Sequence, residues 1–344
     1  MSDCHTYLFA IGAAEERPAA LHGFELPEQF GPVRAIVAEG LVAFGSAYRG
    51  PAIEDVPQNE LTGRLLLNQK VIEQLMRGGS LLPVRLGTVL DDDDAVRSLL
   101  RSSGQLLRTT CAAHVDTVEI AIAATWDLSE NLVQIALDPD VLAAKSAAMA
   151  VPAERRPEAV IGVGQLVEAR LLARRSHLEG VVLEHLRPMA RDVQLNAVVS
   201  DELVCNIALL VDRGSADKID QALHRLDAEF DGRYNFRRVG PLPPYSFATV
   251  QVHRIHPDEI DRARIILGLP HAFDESAVQA KYRELALARH PDVRAADSNA
   301  AHDFEDLTKA RATLVTVCQH RGDHAFDPHA VILFASIERN IGRD

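Results

Sequence analysis

One stretch constrains this chain more than any other: Val278 to Asp292, VQAKYRELALARHPD. Its apolar residues Val278, Tyr282, Leu285 and Ala286 recur at i, i+4, i+7 and i+8, which places them on one face of a helix. Lys281, Arg283, Glu284 and Arg289 fall largely outside that stripe, and Asp274 is positioned to cap the helix. The helix must stop near Arg289, because a residue preceding proline is pushed out of the helical region and His290 precedes Pro291. Phe304, Leu307, Ala310 and Leu314 then predict a second helix from about Asn299 to Val317. Two antiparallel helices would hold His290-Pro291-Asp292 at their connection, a turn stiffened by the fixed φ of proline.

With Ile265-Ile-Leu-Gly-Leu269 before it and Phe304-x-x-Leu307-x-x-Ala310-x-x-x-Leu314 after it, KYRELALARHPD resembles the J domain of DnaJ-type co-chaperones over roughly residues 257–319. The resemblance implies a partner, a DnaK-type chaperone whose ATP hydrolysis is stimulated by the His290, Pro291 and Asp292 loop. Lys281, Arg283 and Arg289 are the accompanying basic contacts it implies. Family members usually carry several lysines along this helix where Gln279, Ala280, Glu284 and Ala288 stand here, an aromatic at Arg289, and a tyrosine at Arg311. These departures thin the basic face, so a J fold kept for structure alone is the competing reading. His256-Pro257-Asp258 repeats the tripeptide, but it reads only as a helix start, with proline in the first turn and Asp258, Glu259 and Asp261 near the positive dipole end.

A chain of 344 residues suggests two or three domains, and 47% hydrophobic residues suffice for buried cores. A formal charge of −13 argues against nucleic acid as a partner, because phosphate binding needs clustered Lys and Arg. Cys4, Cys111, Cys205 and Cys318 are widely spaced and read as reduced cytosolic thiols. No basic region followed by a long apolar run opens the chain, and no segment approaches the ~20 apolar residues that span a bilayer. The expectation is a cytoplasmic protein without membrane contact.

The first domain is expected over residues 1–126. Thr6 to Ile11 suits a buried strand, Val33 to Val37 and Leu41 to Phe44 flank Glu39-Gly40 as a hairpin, and Glu60 to Arg77 reads as a helix ended by Gly78-Gly79. The acids Asp91 to Asp94 precede AVRSLLRSSGQLL and read as helix initiation rather than a metal site. Val115 to Thr125 is expected to close this domain as a strand. The second domain, residues 127–255, is helical to about Asn196, with Gln165 to Met189 as one long helix. Gly162-Val163-Gly164 lacks a third glycine and a preceding strand, so it is no phosphate loop. Leu203 to Val211, Tyr234 to Val239 and Ser246 to His253 read as strands of a second sheet, with Ala216 to Phe230 a helix. The order of elements indicates an α+β fold.

Gly240-Pro-Leu-Pro-Pro-Tyr-Ser-Phe247, Leu82-Pro-Val-Arg-Leu-Gly-Thr88 and the opening TYLFAIG resemble the gas vesicle protein L/F family, over roughly Thr6 to Val252. Leu86 replaces a phenylalanine and Leu242 a tryptophan of the family motifs, and Asn68 stands where histidine is frequent. The resemblance implies two ferredoxin-like α+β domains, here followed by the small all-helical J domain. It also implies a role in assembling gas vesicles through contact with the hydrophobic shell protein and other accessory proteins. Arg85, Tyr245 and Phe247 are the contact candidates, Arg85 and Tyr245 because each joins stem or ring area to a polar tip. For the prolines and glycines of both motifs, the competing reading is a folding requirement.

Together the resemblances predict a vesicle-associated assembly protein that binds the shell subunit and recruits DnaK to it. A minor structural component of the shell and a general co-chaperone without a vesicle client are the rival classes. No nucleophile elbow, P-loop or dinucleotide fingerprint is present, so the chain is expected not to be an enzyme and to need no cofactor. Cys318, His320, His324 and His329, with Asp323 and Asp327, read as a solvated connection of residues 256–320 to the tail rather than a metal site. Residues 321–344 are expected to form a tail helix from Asp327 to Asn340, with Val331, Phe334, Ala335 and Ile337 on its apolar face.

Overall fold

The computed structural model describes residues 5–14, 26–289, 300–320 and 331–339. Strands β1 (His5–Ala13), β2 (Phe30–Ala38) and β3 (Leu41–Tyr48) lead to α1 (Gln58–Leu75), the short strands β4 (Leu82–Pro83) and β5 (Val89–Leu90), and helices α2 (Asp93–Ser102) and α3 (Gly104–Ala113). Next come β6 (Thr117–Trp126), α4 (Leu128–Ala136), α5 (Pro139–Ala150), α6 (Arg156–Leu186), β7 (Asp192–Leu195), β8 (Leu203–Asp212), α7 (Ala216–Glu229) and β9 (Tyr234–Leu242). The last described elements are β10 (Thr249–Ile255), α8 (Pro257–Leu267), α9 (Glu275–Arg289), α10 (Ala300–His320) and β11 (Ile332–Glu338). The described residues group into two units, divided after Ala113 and after Thr249, with β10, the three last helices and β11 belonging to the first.

In the first unit the sheet order is β2-β3-β1-β4, with β5 also on β1, and every pairing is antiparallel. The unbroken apolar run of β1 is buried from Thr6 to Gly12 because the strand has partners on both edges and helices to cover it. Glu39 (φ 54°) and Gly40 (φ 71°) turn β2 into β3, and two successive positive φ values are what a two-residue hairpin of type I′ requires. The acidic run starts α2 as expected. Asp92 accepts the Ala95 amide at 2.8 Å, and Asp93 accepts two bonds from the Arg34 guanidinium at 2.6 and 3.1 Å. Those bonds hold Asp93 below the usual carboxylate range. The helix expected after the acids is two, α2 and α3, parted at buried Ser103.

In the second unit the sheet order is β7-β8-β6-β9, again antiparallel. In chain order, each sheet reads second, third, first, fourth strand, the order of a ferredoxin-like layer. Leu178, Val182 and Leu186 of α6 and Ile219, Leu223 and Leu226 of α7 supply the buried helical side of the second unit. Gly162 and Gly164 lie inside α6.

Three expectations are corrected. The Val115 to Thr125 strand exists as β6, but it is a central strand of the second sheet and does not close the first domain. The strand expected in the second sheet at Ser246 to His253 is β10, which pairs with β11 and makes a parallel bridge from Val250 to Val84. The boundaries at 126 and 255 therefore move to 113 and 249. Both errors share a cause: hydrophobic pattern marks a strand without naming its partner, and β6 pairs with β8 and β9 across a long stretch of sequence. The tail helix is a strand at Ile332–Glu338. Leu333 and Ala335 are buried, and Ile332 and Phe334 pack against the helical core of α8 to α10, so both faces of a short apolar run are covered. Such a run cannot be told from a buried helix by periodicity alone.

Helices α8, α9 and α10 share one core, built on Ile260, Leu267, Val278, Leu307, Leu314 and Val317. His256 caps α8 in a reciprocal box with Glu259, Pro257 occupies its first turn and Gly268 ends it at φ 65°, so the first His-Pro-Asp is a helix start. Asp274 caps α9 as expected, accepting the Ala277 amide at 2.7 Å. The helices are set between β10 and β11, two strands of one ribbon, and Ile255 and Pro257 are separated by His256 alone.

Candidate chaperone and partner contact surfaces

On α9, Lys281 Nζ lies 2.8 Å from Glu284 Oε2, so one of the expected basic contacts is neutralised by a neighbour a turn away. Arg283 donates its Nε to the Gln279 carbonyl at 3.2 Å. Gln279, standing where a lysine is usual, accepts from Arg311 Nε at 2.9 Å, and the Arg311 guanidinium lies 4.9 Å from the centre of the Tyr282 ring. Two departures from the family pattern thus serve one purpose, tying α9 to α10 through a hydrogen bond and a cation–π contact. His290, Pro291 and Asp292 lie outside the described residues, as does the Arg289 side chain.

The LPVRLGT stretch packs against β1. Val84 donates to the Phe9 carbonyl and Leu8 to the Thr88 carbonyl, each at 2.9 Å. Gly87 (φ 84°) donates its amide to Tyr7 Oη at 3.1 Å, and a Cβ at Gly87 would stand 2.4 Å from the Ile53 Cβ. Only glycine meets both demands. The Tyr7 hydroxyl donates to Asn68 Oδ1 at 3.3 Å, and burial pushes the phenol up to about 12. Arg85 is the exposed member: its amide bonds the Val250 carbonyl at 2.9 Å while its guanidinium sits 57% exposed, 3.8 Å from Glu338.

The GPLPPYSF stretch is held by a residue that motif reading passes over. Glu119 of β6, 4% exposed, accepts the Ser246 amide at 2.7 Å and the Ser246 hydroxyl at 2.8 Å. Burial raises the Glu119 carboxyl above its ordinary value, while the Ser246 bonds work against that rise. A glutamate inside the otherwise apolar TVEIAIAATW is the signal that was available, since a buried carboxylate requires a donor. Phe247 is not available for contact: it is 3% exposed and packs with Ala208 and Leu210 in the core of its unit, which corrects its assignment as a partner residue. Tyr245 is half-buried, its amide bonded to the Pro243 carbonyl at 2.7 Å and its carbonyl to the Thr249 hydroxyl at 2.9 Å. Arg85 is therefore the most open of the contact candidates.

Elsewhere in the second unit, a polar hollow of about 300 Å³ is lined by Glu130, Asn131, Gln134, Arg174, Arg233 and Tyr234. Arg174 is already engaged there by Asp138 at 3.3 Å. Among the described residues no three His, Cys, Asp or Glu side chains are placed to hold a metal ion, and no helix is long and apolar enough to cross a membrane. His324, His329, Asp323 and Asp327 of the tail connection lie outside the described residues.

Two ferredoxin-like α+β units, with a helical hairpin of J type set into a ribbon of the first, define the class. Residues 5–249 match the family described as gas vesicle synthesis protein GvpL/GvpF, and residues 265–321 match the DnaJ domain. The chain belongs to the GvpL/GvpF family and carries a DnaJ domain. Among similar proteins, gas vesicle protein F of Streptomyces sp. (strain CB03234) is 29% identical over 253 residues, covering 70% of this chain and 98% of the relative. Gas vesicle protein F of Nostoc sp. (strain PCC 7120) is 29% identical over 189 residues, 54% of this chain and 77% of the relative. The crystal structure of GvpF from Anabaena sp. PCC7120 superposes with a TM-score of 0.60 at 24% identity, covering 71% of this chain and 97% of that one. The GvpF structure from Microcystis aeruginosa does so at 0.55 and 23%, covering 71% and 98%.

Proposed function

We propose that this chain is a client-specific co-chaperone of gas vesicle assembly, acting by binding and without covalent chemistry of its own. The vesicle-family units hold the hydrophobic shell protein, alone or with other accessory proteins, and the J helices bring a DnaK-type ATPase to it. The observation that carries this reading is the union, in one chain, of a vesicle-synthesis region at residues 5–249 and a DnaJ domain at residues 265–321. An unassembled apolar shell subunit aggregates unless its surface is covered, so a protein that covers it and summons a chaperone answers a physical need. The work takes place in the cytoplasm, at the growing vesicle, where the chaperone and its ATP are found.

Co-purification of the intact protein with the main shell protein of its host tests the client half. Saturable capture supports it, and no capture under conditions where the chaperone's ATPase is still stimulated removes the vesicle client. For the recruiting half, His290→Gln should leave shell-protein capture unchanged. It should lower stimulation of DnaK ATP hydrolysis by roughly tenfold, the loss of ~1.4 kcal/mol of docking free energy. Undiminished stimulation would take the J helices out of the mechanism.

A further inference from the structure

His253 on β10, His320 at the end of α10 and Phe334 on β11 come from three places in the chain and form one stack. The Phe334 ring lies 4.9 Å from the His253 ring and 4.4 Å from the His320 ring, centre to centre, at interplanar angles of 18° and 16°. His253 Nε2 is 2.7 Å from Ser336 Oγ. β11 is also bonded to the helices of the α+β layer: its Leu333 carbonyl accepts the Ser102 hydroxyl at 2.5 Å, and its Ala335 amide donates to buried Ser103 Oγ at 2.7 Å. Ile332 and Phe334 meanwhile pack against the core of α8 to α10. β11 is thus a strap that touches both the J helices and the α+β layer, and the stack is the point where strap, J helices and β10 join.

We propose that this stack is an acid-sensitive latch, in which protonation of His320 loosens β11 and the end of α10 from the α+β layer. A charged imidazolium on a half-buried ring must give up water, and a second charge on His253 would share the same phenyl ring. Burial holds His320 below the ordinary histidine range, the charge of His253 adds to that depression, and the Ser102 carbonyl opposes it. Among the described residues of α2, α3, β10 and β11, the charged groups are engaged elsewhere or turned outward. Arg254 of β10 bonds Asp91 and the Val89 carbonyl, Glu338 of β11 faces Arg85, Arg108 of α3 bonds the Glu39 carbonyl, and Arg101 in the last turn of α2 is exposed. The charged residues of α10, from Asp303 to Arg311, lie two or more turns before His320. Folded His320 therefore holds its proton less tightly than unfolded His320, and the latch weakens as pH falls below the ordinary histidine value.

Hydrogen exchange of the intact protein between pH 7.5 and 5.5, corrected for intrinsic rates, tests this. Amides of residues 332–338 and of the last turns of α10 should lose protection by about three- to tenfold relative to β1, a tenfold change corresponding to one unit of pKa difference. His320→Phe, which keeps an aromatic ring and removes the titration, should abolish the effect. Constant protection of β11 across the range would overturn the latch, as would the same loss of protection in His320→Phe. If that variant does not fold, the NMR titration of His320 in the unaltered protein decides: a midpoint below about 6.5 supports the latch, and one at or above it overturns it.

Discussion

Gly87→Val should destabilise the first unit by about 4 kcal/mol, the sum of a strained backbone and an overfilled site. Gly87 sits at φ 84°, where a β-branched residue is at its worst, and a Cβ there would lie 2.4 to 2.9 Å from three carbons of Ile53. Ile53 cannot swing its Cβ away, because that atom is fixed to the backbone of a short turn, Ile53–Asp55. Strain and clash separate in a second experiment. Ile53→Gly, which removes the Cβ together with both γ carbons, should relieve the clash in a Gly87→Ala background and leave the cost of the positive φ, so recovery should be partial. Urea unfolding read by exchange of β1 amides measures both, and a Gly87→Val midpoint equal to that of the unaltered protein would show that the LPVRLGT crossing is no folding requirement.

Glu119→Ala should cost the second unit about 3 kcal/mol, because it strands the buried Ser246 amide and hydroxyl without an acceptor and leaves a hollow behind. Glu119→Gln should lose much less: its carboxamide oxygen can take the amide, while its NH2 donates to a hydroxyl free to turn. Trp126, the chain's one tryptophan, lies on β6 with Glu119 and reports the transition by fluorescence. The pH dependence has a definite sign. Burial raises the folded Glu119 above its unfolded value, so the native state keeps a proton that the unfolded chain releases. Its contribution is full below the ordinary glutamate value and is lost as pH climbs through the raised one. Unfolding midpoints should therefore fall over that window in the unaltered protein relative to Glu119→Gln, and parallel profiles would sink the assignment.

Local chemistry was legible in the sequence. Glu39-Gly40, the acids Asp91 to Asp94 ahead of α2, and Asp274 ahead of α9 are all read from turn and helix-start rules, and each is found at its place. The strands of β1, β3 and β8 were legible because buried strands are continuous apolar runs. Partnership was not. Nothing in TVEIAIAATW states that it belongs with β8 and β9 rather than β1, and nothing in VILFASI separates a ribbon strand from a helix that is buried on one side. At the candidate contact surfaces, the motifs name the loops but not which of their side chains remain open. Arg85 stays exposed, whereas Phe247, two residues beyond Tyr245, turns into the core. Side-chain direction in a proline-rich crossing depends on the neighbours it meets, Ala208 and Leu210 here, and those come from a distant strand.

The position of β11 also sets an order of events during synthesis. The J helices emerge from the ribosome before residues 332–338, yet Ile332 and Phe334 complete their packing and β11 supplies the only strand with which β10 pairs in its ribbon among the described residues. A nascent chain that stops short of Ile332 carries a J hairpin with part of its apolar surface bare and without its strap. Ribosome-bound and prematurely terminated copies then expose apolar surface that β11 covers once it is made, and such surface is prone to aggregate.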